Sequence, residues 1–289
     1  MIRGLLLIPA LAVSLIAAAS GQIATSLKLG KKQHLAGEPV IATVTITNHA
    51  GRELLFSSDG RFQWLDFIVK TSNGNTVSSR GKTVFGPMKI GAGESLSREV
   101  DLSKHFQLDS PGNYSVAAVI HFPGDRSKGS STNRVFFNQS PGREYWSQEV
   151  GISGSKTKTR KFRLLNFSGD QRSHLYAQVV DGRTGTFLST FRLGDVLMLR
   201  KPLATVDLQQ RMHVLFLATP TMWVHCIINT DGRLVDRTIH QRAAKGDPRL
   251  LTFGDGTVRV TNSIPYDPEA ASKERSKIRK TSDRPNVGF

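Results

Sequence analysis

The sequence predicts an all-β chain built from two antiparallel modules. Three observations carry that expectation. Apolar residues alternate with period two, as in Pro39–Asn48, where Val40, Ala42, Val44 and Ile46 fall on one side and Thr43, Thr45 and Thr47 on the other. Turn signals separate such runs, among them Asn73-Gly74, Asp181-Gly182 and Asp231-Gly232. Across the first module no apolar pattern follows the 3.6-residue period of a helix.

The N-terminus, MIRGLLLIPALAVSLIAAASGQ, has a different character. Arg3 precedes an apolar run from Gly4 to Ile16, and Ala17-Ala18-Ala19 supplies the small residues that a signal peptidase reads. This order predicts a signal peptide over residues 1–20, cleaved near Ala19 or Ser20, and a secreted or periplasmic protein. The apolar run is shorter than the ~20 residues that span a bilayer. No cysteine follows it to carry a lipid, and no later segment is apolar enough to span, so no transmembrane segment is expected after cleavage. Cys226 is the single cysteine, so the fold has no internal disulfide and must rest on its core. With 289 residues, 38% of them hydrophobic, the chain can supply one. The formal net charge is +16. A basic exported protein meets anionic polymers, so the expected partner is an anionic envelope polymer or another protein. Zinc-finger spacing and RNP-like aromatic pairs are absent from the sequence, so nucleic acid is not expected.

The first module covers residues 22–150. After Pro39–Asn48 comes RFQWLDFIVK (Arg61–Lys70), apolar on both faces, which predicts a central strand. Asn73-Gly74 predicts a type I′ turn. IGAGESLSREVDLS (Ile90–Ser103) gives a turn and a strand, and Pro111-Gly112 leads into NYSVAAVIHF. Strands at this spacing predict a β-sandwich. The stretches GEPVIATVTITN, GAGESLSREVDL and SPGNYSVAAVIHF resemble bacterial immunoglobulin-like modules, in particular the sandwich of the Bacillus-type intracellular proteinase inhibitor family. The mid-domain turn is Gly91-Ala92-Gly93-Glu94, without that family's proline. The resemblance implies an immunoglobulin-like β-sandwich. It also implies, as one alternative, proteinase inhibition through loops of this module, for which no signature residue can be placed. Phe136, Phe137, Tyr145 and Trp146 are expected to be packing residues.

GSKTKTRK (Gly154–Lys161) is a basic linker that opens a second module over 154–266. Ser155 and Lys158 match the S-x-x-K pattern of acyl-enzymes, but in a Gly, Ser and Lys setting rather than on a helix, so the match is read as chance. Strand pairs follow: HLYAQVV with TFLSTFRLG, RMHVLFLA with MWVHCIIN, MWVHCIIN with RLVDRTIH, and PRLLTF with TVRVTN. VDLQQRMHVLFL followed by MWVHCIINTDGRL resembles one blade of a β-propeller. Two blades and a fragment cannot close a ring of at least ~4, so the module is either an open sheet or one part of an assembled ring, and an oligomer stays open. The Asp-box of sialidases is absent.

Strand alternation separates His225 from Cys226. A two-residue turn at Asp231-Gly232 places Trp223 across from His240, His225 from Thr238, Ile227 from Asp236, Cys226 from Arg237 and Ile228 from Val235. Cys226 then joins Met212, Val214, Phe216, Val224 and Ile228 on an apolar face, as a buried and inert thiol. His213, Trp223, His225, Asp236 and His240 share the other face as candidate binding residues. Within that set His213, His225 and His240 are candidate metal ligands, because diagonal neighbours ~7–8 Å apart can bridge one ion. Asp195, Asp207 and Asp236 are loose candidates for the carboxylate pair of a glycoside hydrolase.

The tail over 267–289 carries Lys273, Arg275, Lys277, Arg279, Lys280 and Arg284 against Glu274 and Asp283, and has no core face. It is read as a disordered electrostatic tether. The preferred function is an exported, non-enzymatic binding or structural protein of the envelope or extracellular space, with no cofactor expected. The alternatives are a secreted hydrolase or metal-dependent enzyme using the His213/His225/His240 face, and the proteinase inhibitor.

Overall fold

The computed structural model describes residues 23–267 apart from 60, 61, 82, 124, 156, 170, 171 and 245, together with 269 and 272. The signal segment 1–20 lies outside the described residues, as do the tail residues Lys273, Arg275, Lys277, Arg279 and Lys280. No described helix is long and apolar enough to cross a membrane.

The chain is all-β, as the alternation predicts. It runs through β1 (Ile23–Leu29), β2 (Gln33–Leu35), β3 (Ile41–Asn48), β4 (Leu54–Phe56), β5 (Leu65–Thr71), β6 (Met88–Ile90) and β7 (Ser95–Asp101) to one helical turn, α1 (Leu102–His105). Next come β8 (Gly112–Phe122), β9 (Asp125–Ser131), β10 (Val135–Ser140), β11 (Arg143–Gly151), β12 (Thr159–Gly169), β13 (Arg172–Asp181) and β14 (Phe187–Asp195). Last are β15 (Leu203–Val206), β16 (Met212–Leu217), β17 (Met222–Ile228), β18 (Leu234–Arg242), β19 (Arg249–Thr252), β20 (Val258–Thr261) and β21 (Ser263–Pro265). Contacts divide the chain into two compact units.

The first unit gathers the chain up to Gly30, Ile41–Asp101 and Ser115–Phe136. β3 is the middle strand between β1 and β7, with Leu27 across from Val44 and Leu96 across from Ile46. Val40, Ala42, Val44 and Ile46 are all buried. On the other face Thr45 and Thr47 pair their hydroxyls with Ser97 and Ser95, each at 2.7 Å, which is why that side of the strand is polar. β5 is not the central strand its composition predicts. It is an end strand hydrogen-bonded to β8, and Leu65, Phe67 and Val69 are buried while Ile68 is 40% exposed. Trp64 is buried just before it, with its indole N–H on the Gly86 carbonyl at 3.1 Å. The Asn73-Gly74 turn also differs from type I′: Gly74 alone takes a positive φ, in a loop closed by Thr71 N–H to Asn75 O.

The second unit gathers Lys31–Val40, Leu102–Tyr114 and the chain from Phe137 onward. The expected boundary at 150–154 falls between β11 and β12, which are paired neighbours in one sheet, from Arg143↔Asn166 to Gly151↔Thr159. Its two main sheets run β11-β12-β13-β14 and β15-β16-β17-β18-β21. Phe162, Leu164, Ala177 and Val179 of the first sheet share one core with Val214, Phe216, Val224 and Cys226 of the second, and Tyr145 and Trp146 pack against it. The hairpins therefore bury their apolar faces against each other as two facing sheets, and need no ring of blades to do so. Each fully buried large apolar side chain contributes about 1.5–3 kcal/mol to holding them together.

Candidate functional site

β16, β17 and β18 are paired as the sequence predicts: Val214 with Cys226, Phe216 with Val224, Trp223 with His240, His225 with Thr238, Ile227 with Asp236 and Cys226 with Arg237. At the turn the pairing differs. Asn229 N–H bonds to Arg233 O around a three-residue loop, and Ile228 pairs with Leu234 instead of Val235. A bulge in β18 then restores the expected register from Ile227 onward. Gly232 takes φ 76° here, and a Cβ at that position would collide with Ser189, so glycine is required twice over.

One face of these strands enters the core between the sheets. Cys226 is fully buried there, and burial pushes its thiol up to about 11, so it is inert as expected. The opposite face carries the histidines and is covered by the β19–β20 hairpin. Leu250 and Val260 of that hairpin pack with Leu215, Leu217 and Trp223. His213 is 2%, His225 7% and His240 9% exposed. The face that the sequence marks as a candidate site is thus an interior surface.

Within it runs a hydrogen-bonded chain. Asp207, in the turn before β16, accepts from Arg211 N at 2.9 Å and from Arg211 Nε at 2.8 Å. The same carboxylate lies 3.0 Å from His213 Nε2, and His213 Nδ1 lies 3.1 Å from His225 Nε2. A carboxylate can only accept, so His213 Nε2 carries a proton. A neutral His213 then has a lone pair at Nδ1, and His225 Nε2 donates to it. Burial works to raise the Asp207 carboxyl, but hydrogen bonds from Arg211 and His213 outweigh it and hold the group below the usual carboxylate range. His225 is pushed down to about 4, first by burial and then by His213 and His240 beside it. His240 is lowered by burial as well, and the Asp236 charge only partly offsets this.

The expected metal set does not form. Among the described residues no group of three or more His, Cys, Asp or Glu is arranged to hold an ion. The reason is that the ring nitrogens are committed elsewhere. His213 uses both on Asp207 and His225, while His240 lies between Thr238 Oγ1 and Ser263 Oγ, each at 3.1 Å. The His213 and His225 rings are stacked, 5.2 Å apart and 21° from parallel, rather than converging on a point. Trp223 shares this face, buried; Asp236 shares it by register but is exposed.

The loose carboxylate candidates fare no better. Asp195 is held by Arg192, Arg172 and His174, and its carboxyl is lowered, chiefly by the Arg192 hydrogen bond. A general acid needs the opposite shift. Ser155 and Lys158 sit in the turn joining β11 to β12, closed by Ile152 N–H to Lys158 O, not on a helix.

The same sheet carries an open site that sequence reasoning missed. A cleft of about 560 Å³ is lined by Leu199, Arg200, Leu217, Pro220, Thr221, Trp223, Gln241, Arg242 and Asp247. The Asp247 carboxylate sits between two guanidiniums, 2.8 Å from Arg200 Nε and 3.4 Å from Arg242 Nε. The Arg200 hydrogen bond, with the charges of Arg200, Arg242 and Arg249, holds the Asp247 carboxyl low. Arg200 Nη1 donates to Leu199 O at 3.2 Å. Among the described residues, Arg200 Nη2, both Nη atoms of Arg242 and the Gln241 amide make no hydrogen bond. Trp223 is the one member of this set that the strand pattern picked out. The two arginines and Asp247 are brought together only by the fold.

No protein-family model matches the chain, and no curated protein matches it.

Proposed function

We propose that the chain is an exported, non-enzymatic binding protein that engages an anionic partner through its second unit. The observation that carries this reading is the arginine pair at the mouth of the cleft. Arg200 Nε bonds to Asp247 and Arg242 Nε lies 3.4 Å from the same carboxylate, which leaves Arg200 Nη2 and both Arg242 Nη atoms without a hydrogen bond among the described residues, in a cleft also lined by Leu217 and Trp223. A cleft of this size, with apolar side chains beside a few convergent polar groups, is a form that binding sites take. The net charge of +16 favours encounter with polyanions. The signal-like N-terminus supports a setting among the polymers of the envelope or extracellular space. Against an enzyme stand the lowered carboxyls of Asp195 and Asp207 and the enclosure of the histidines.

The test is affinity electrophoresis of the chain lacking residues 1–20 through gels containing polygalacturonate, dextran sulfate or neutral dextran. Retardation by the anionic gels alone, fading with added salt, is the expected result. Equal mobility in all three gels would overturn the reading.

A further inference from the structure

We infer that the cleft takes one carboxylate-bearing pyranose unit of an acidic polysaccharide; this rests on the proposed binding role and narrows it to one ligand chemistry. Four features of the cleft select that class together. First, Asp247 engages Arg200 and Arg242 through Nε. The Arg200 guanidinium is held by that bond and by Nη1 on Leu199 O, while Arg242 keeps both Nη atoms without a hydrogen bond among the described residues. A planar fork of this kind matches a carboxylate, which can accept two parallel hydrogen bonds. Second, Arg200 and Arg242 outnumber the one carboxylate of Asp247, and Arg249 acts on the same carboxylate, so the cleft keeps a net positive charge for an anionic group. Third, the lining presents exposed apolar side chains at Leu199 and Pro220, while Trp223 is almost fully buried. A pyranose ring offers an apolar C–H face to such a surface, whereas an inorganic anion offers none. Fourth, Gln241 and Asp247 add a donor–acceptor amide and an acceptor beside the arginines. Ring hydroxyls both donate and accept, so they can use both.

The position of the cleft adds to this. Trp223 is pinned from below by the buried Leu215 and Leu217 and by the β19–β20 hairpin. Gln241 and Arg242 are consecutive residues of β18 and Met222 pairs with Gln241, whereas Arg200 and Asp247 lie in bends outside the strands. The half of the site on β18 is held in place before the ligand arrives, which reduces the ordering that binding must impose.

The experiment is isothermal titration of the chain lacking residues 1–20 with a short oligogalacturonate at about 0.15 M salt. Parallel titrations use the methyl-esterified oligomer, polyglutamate and dextran sulfate. Oligogalacturonate binding is expected, with about tenfold or greater weakening on methyl esterification and in Arg200→Ala or Arg242→Ala, since each removes a charge-assisted hydrogen bond. Arg233→Ala, which removes an exposed positive charge elsewhere on β18's approach, is expected to leave affinity unchanged. Thermal melts of each variant check folding, and Arg242→Lys provides a second variant that keeps the charge but loses the fork. Equal binding of the esterified oligomer, or binding of polyglutamate as tight as that of the sugar, would overturn the acidic-sugar assignment. Binding of every polyanion alike, with Arg200→Ala and Arg242→Ala no worse than Arg233→Ala, would overturn the cleft while leaving the broader anionic reading standing. No binding to any polyanion would remove both.

Discussion

The histidine chain and the arginine fork belong to the same unit, and they differ in what their polar atoms have left to give. Inside, Asp207, Arg211, His213 and His225 are bonded to each other, on the face where the β19–β20 hairpin packs against Leu215, Leu217 and Trp223. At the cleft, Arg200 and Arg242 meet Asp247 through Nε, Arg200 Nη1 bonds to Leu199 O, and Arg200 Nη2 and both Arg242 Nη atoms make no hydrogen bond among the described residues. The inner cluster has the residue types of an active site, but both ring nitrogens of His213 and the Asp207 carboxylate are already engaged. The outer one has ordinary surface residues but an incomplete set of partners. Residue type alone therefore points to the histidine cluster, whereas the count of hydrogen bonds favours the cleft proposed above.

The largest expected effect separates the two clusters by stability. Asp207→Ala leaves Arg211 and His213 without the carboxylate that both address, in a site where the Asp207 side chain is 2% exposed. Removing one partner of a buried charged network costs about 3–5 kcal/mol, read as a lowered urea midpoint. Asp207→Asn, which keeps the shape and part of the bonding, is expected to lose less. A loss below about 1 kcal/mol in Asp207→Ala would mean that the inner cluster does not hold the sheet, and the contrast would fail.

Acid sharpens the comparison next. An ordinary histidine value of 6.5 falls to about 4 for folded His225. Between those values the unfolded chain binds a proton that the folded chain refuses. The His225 contribution to stability is therefore intact above about pH 7, declines as pH falls through the window and is level below about pH 4. The full loss is about 3 kcal/mol. His225→Gln keeps a donor for His213 but cannot titrate, so its stability profile between pH 7 and 4 is expected to be flatter than that of the parent. An unchanged acid limb in that variant would assign the loss to other groups.

How much of this could be read in the sequence depends on the range of the interaction. Strand alternation and the Asp231-Gly232 turn were enough to put His213, His225, Trp223 and His240 on one face and Cys226 on the other. The register came out right through two deviations that cancel: the loop has three residues rather than two, and Val235 is taken up in a bulge. What a strand pattern cannot show is what lies on top of it. Nothing local in PRLLTF or TVRVTN says that this hairpin covers the histidines, which is why a solvent-facing metal site was a reasonable expectation. Asp207 was visible only as a loose carboxylate, because its link to His213 is made by a turn. Arg200, Arg242 and Asp247 carry no motif at all. In the first unit the same limit applies to Arg61–Lys70: its apolar residues predict two covered faces, but whether a neighbouring strand follows is decided by topology.

Cys226 gives a smaller effect on the apolar side of the same strand. Cys226→Ser puts a hydroxyl among Val214, Phe216 and Val224, where no polar group waits for it, at a cost of about 1–3 kcal/mol. The folded parent is expected to resist a thiol reagent until urea opens it, since the thiol is fully buried and its value is raised to about 11. Rapid labelling of the folded protein would show that the core between the sheets opens without global unfolding, which would weaken the view that both faces of β17 are interior.

The smallest expected effect on stability is the most discriminating one. Arg200 and Arg242 are 60% and 64% exposed, so their ion pairs with Asp247 are screened by water. Solvated pairs of this kind contribute little to folding. The double variant Arg200→Ala with Arg242→Ala is therefore expected to keep the urea midpoint of the parent while losing affinity for the acidic oligosaccharide. Asp207→Ala should show the reverse in a dilute, cold sample where it stays folded: a lowered midpoint with the affinity retained. If the double arginine variant also lowers the midpoint, the fork is part of the scaffold and its free donors are incidental. If it leaves the midpoint alone and abolishes binding, stability and recognition are carried by different clusters on the two sides of one tryptophan, Trp223, which the hairpin clamps on one side and the cleft borders on the other.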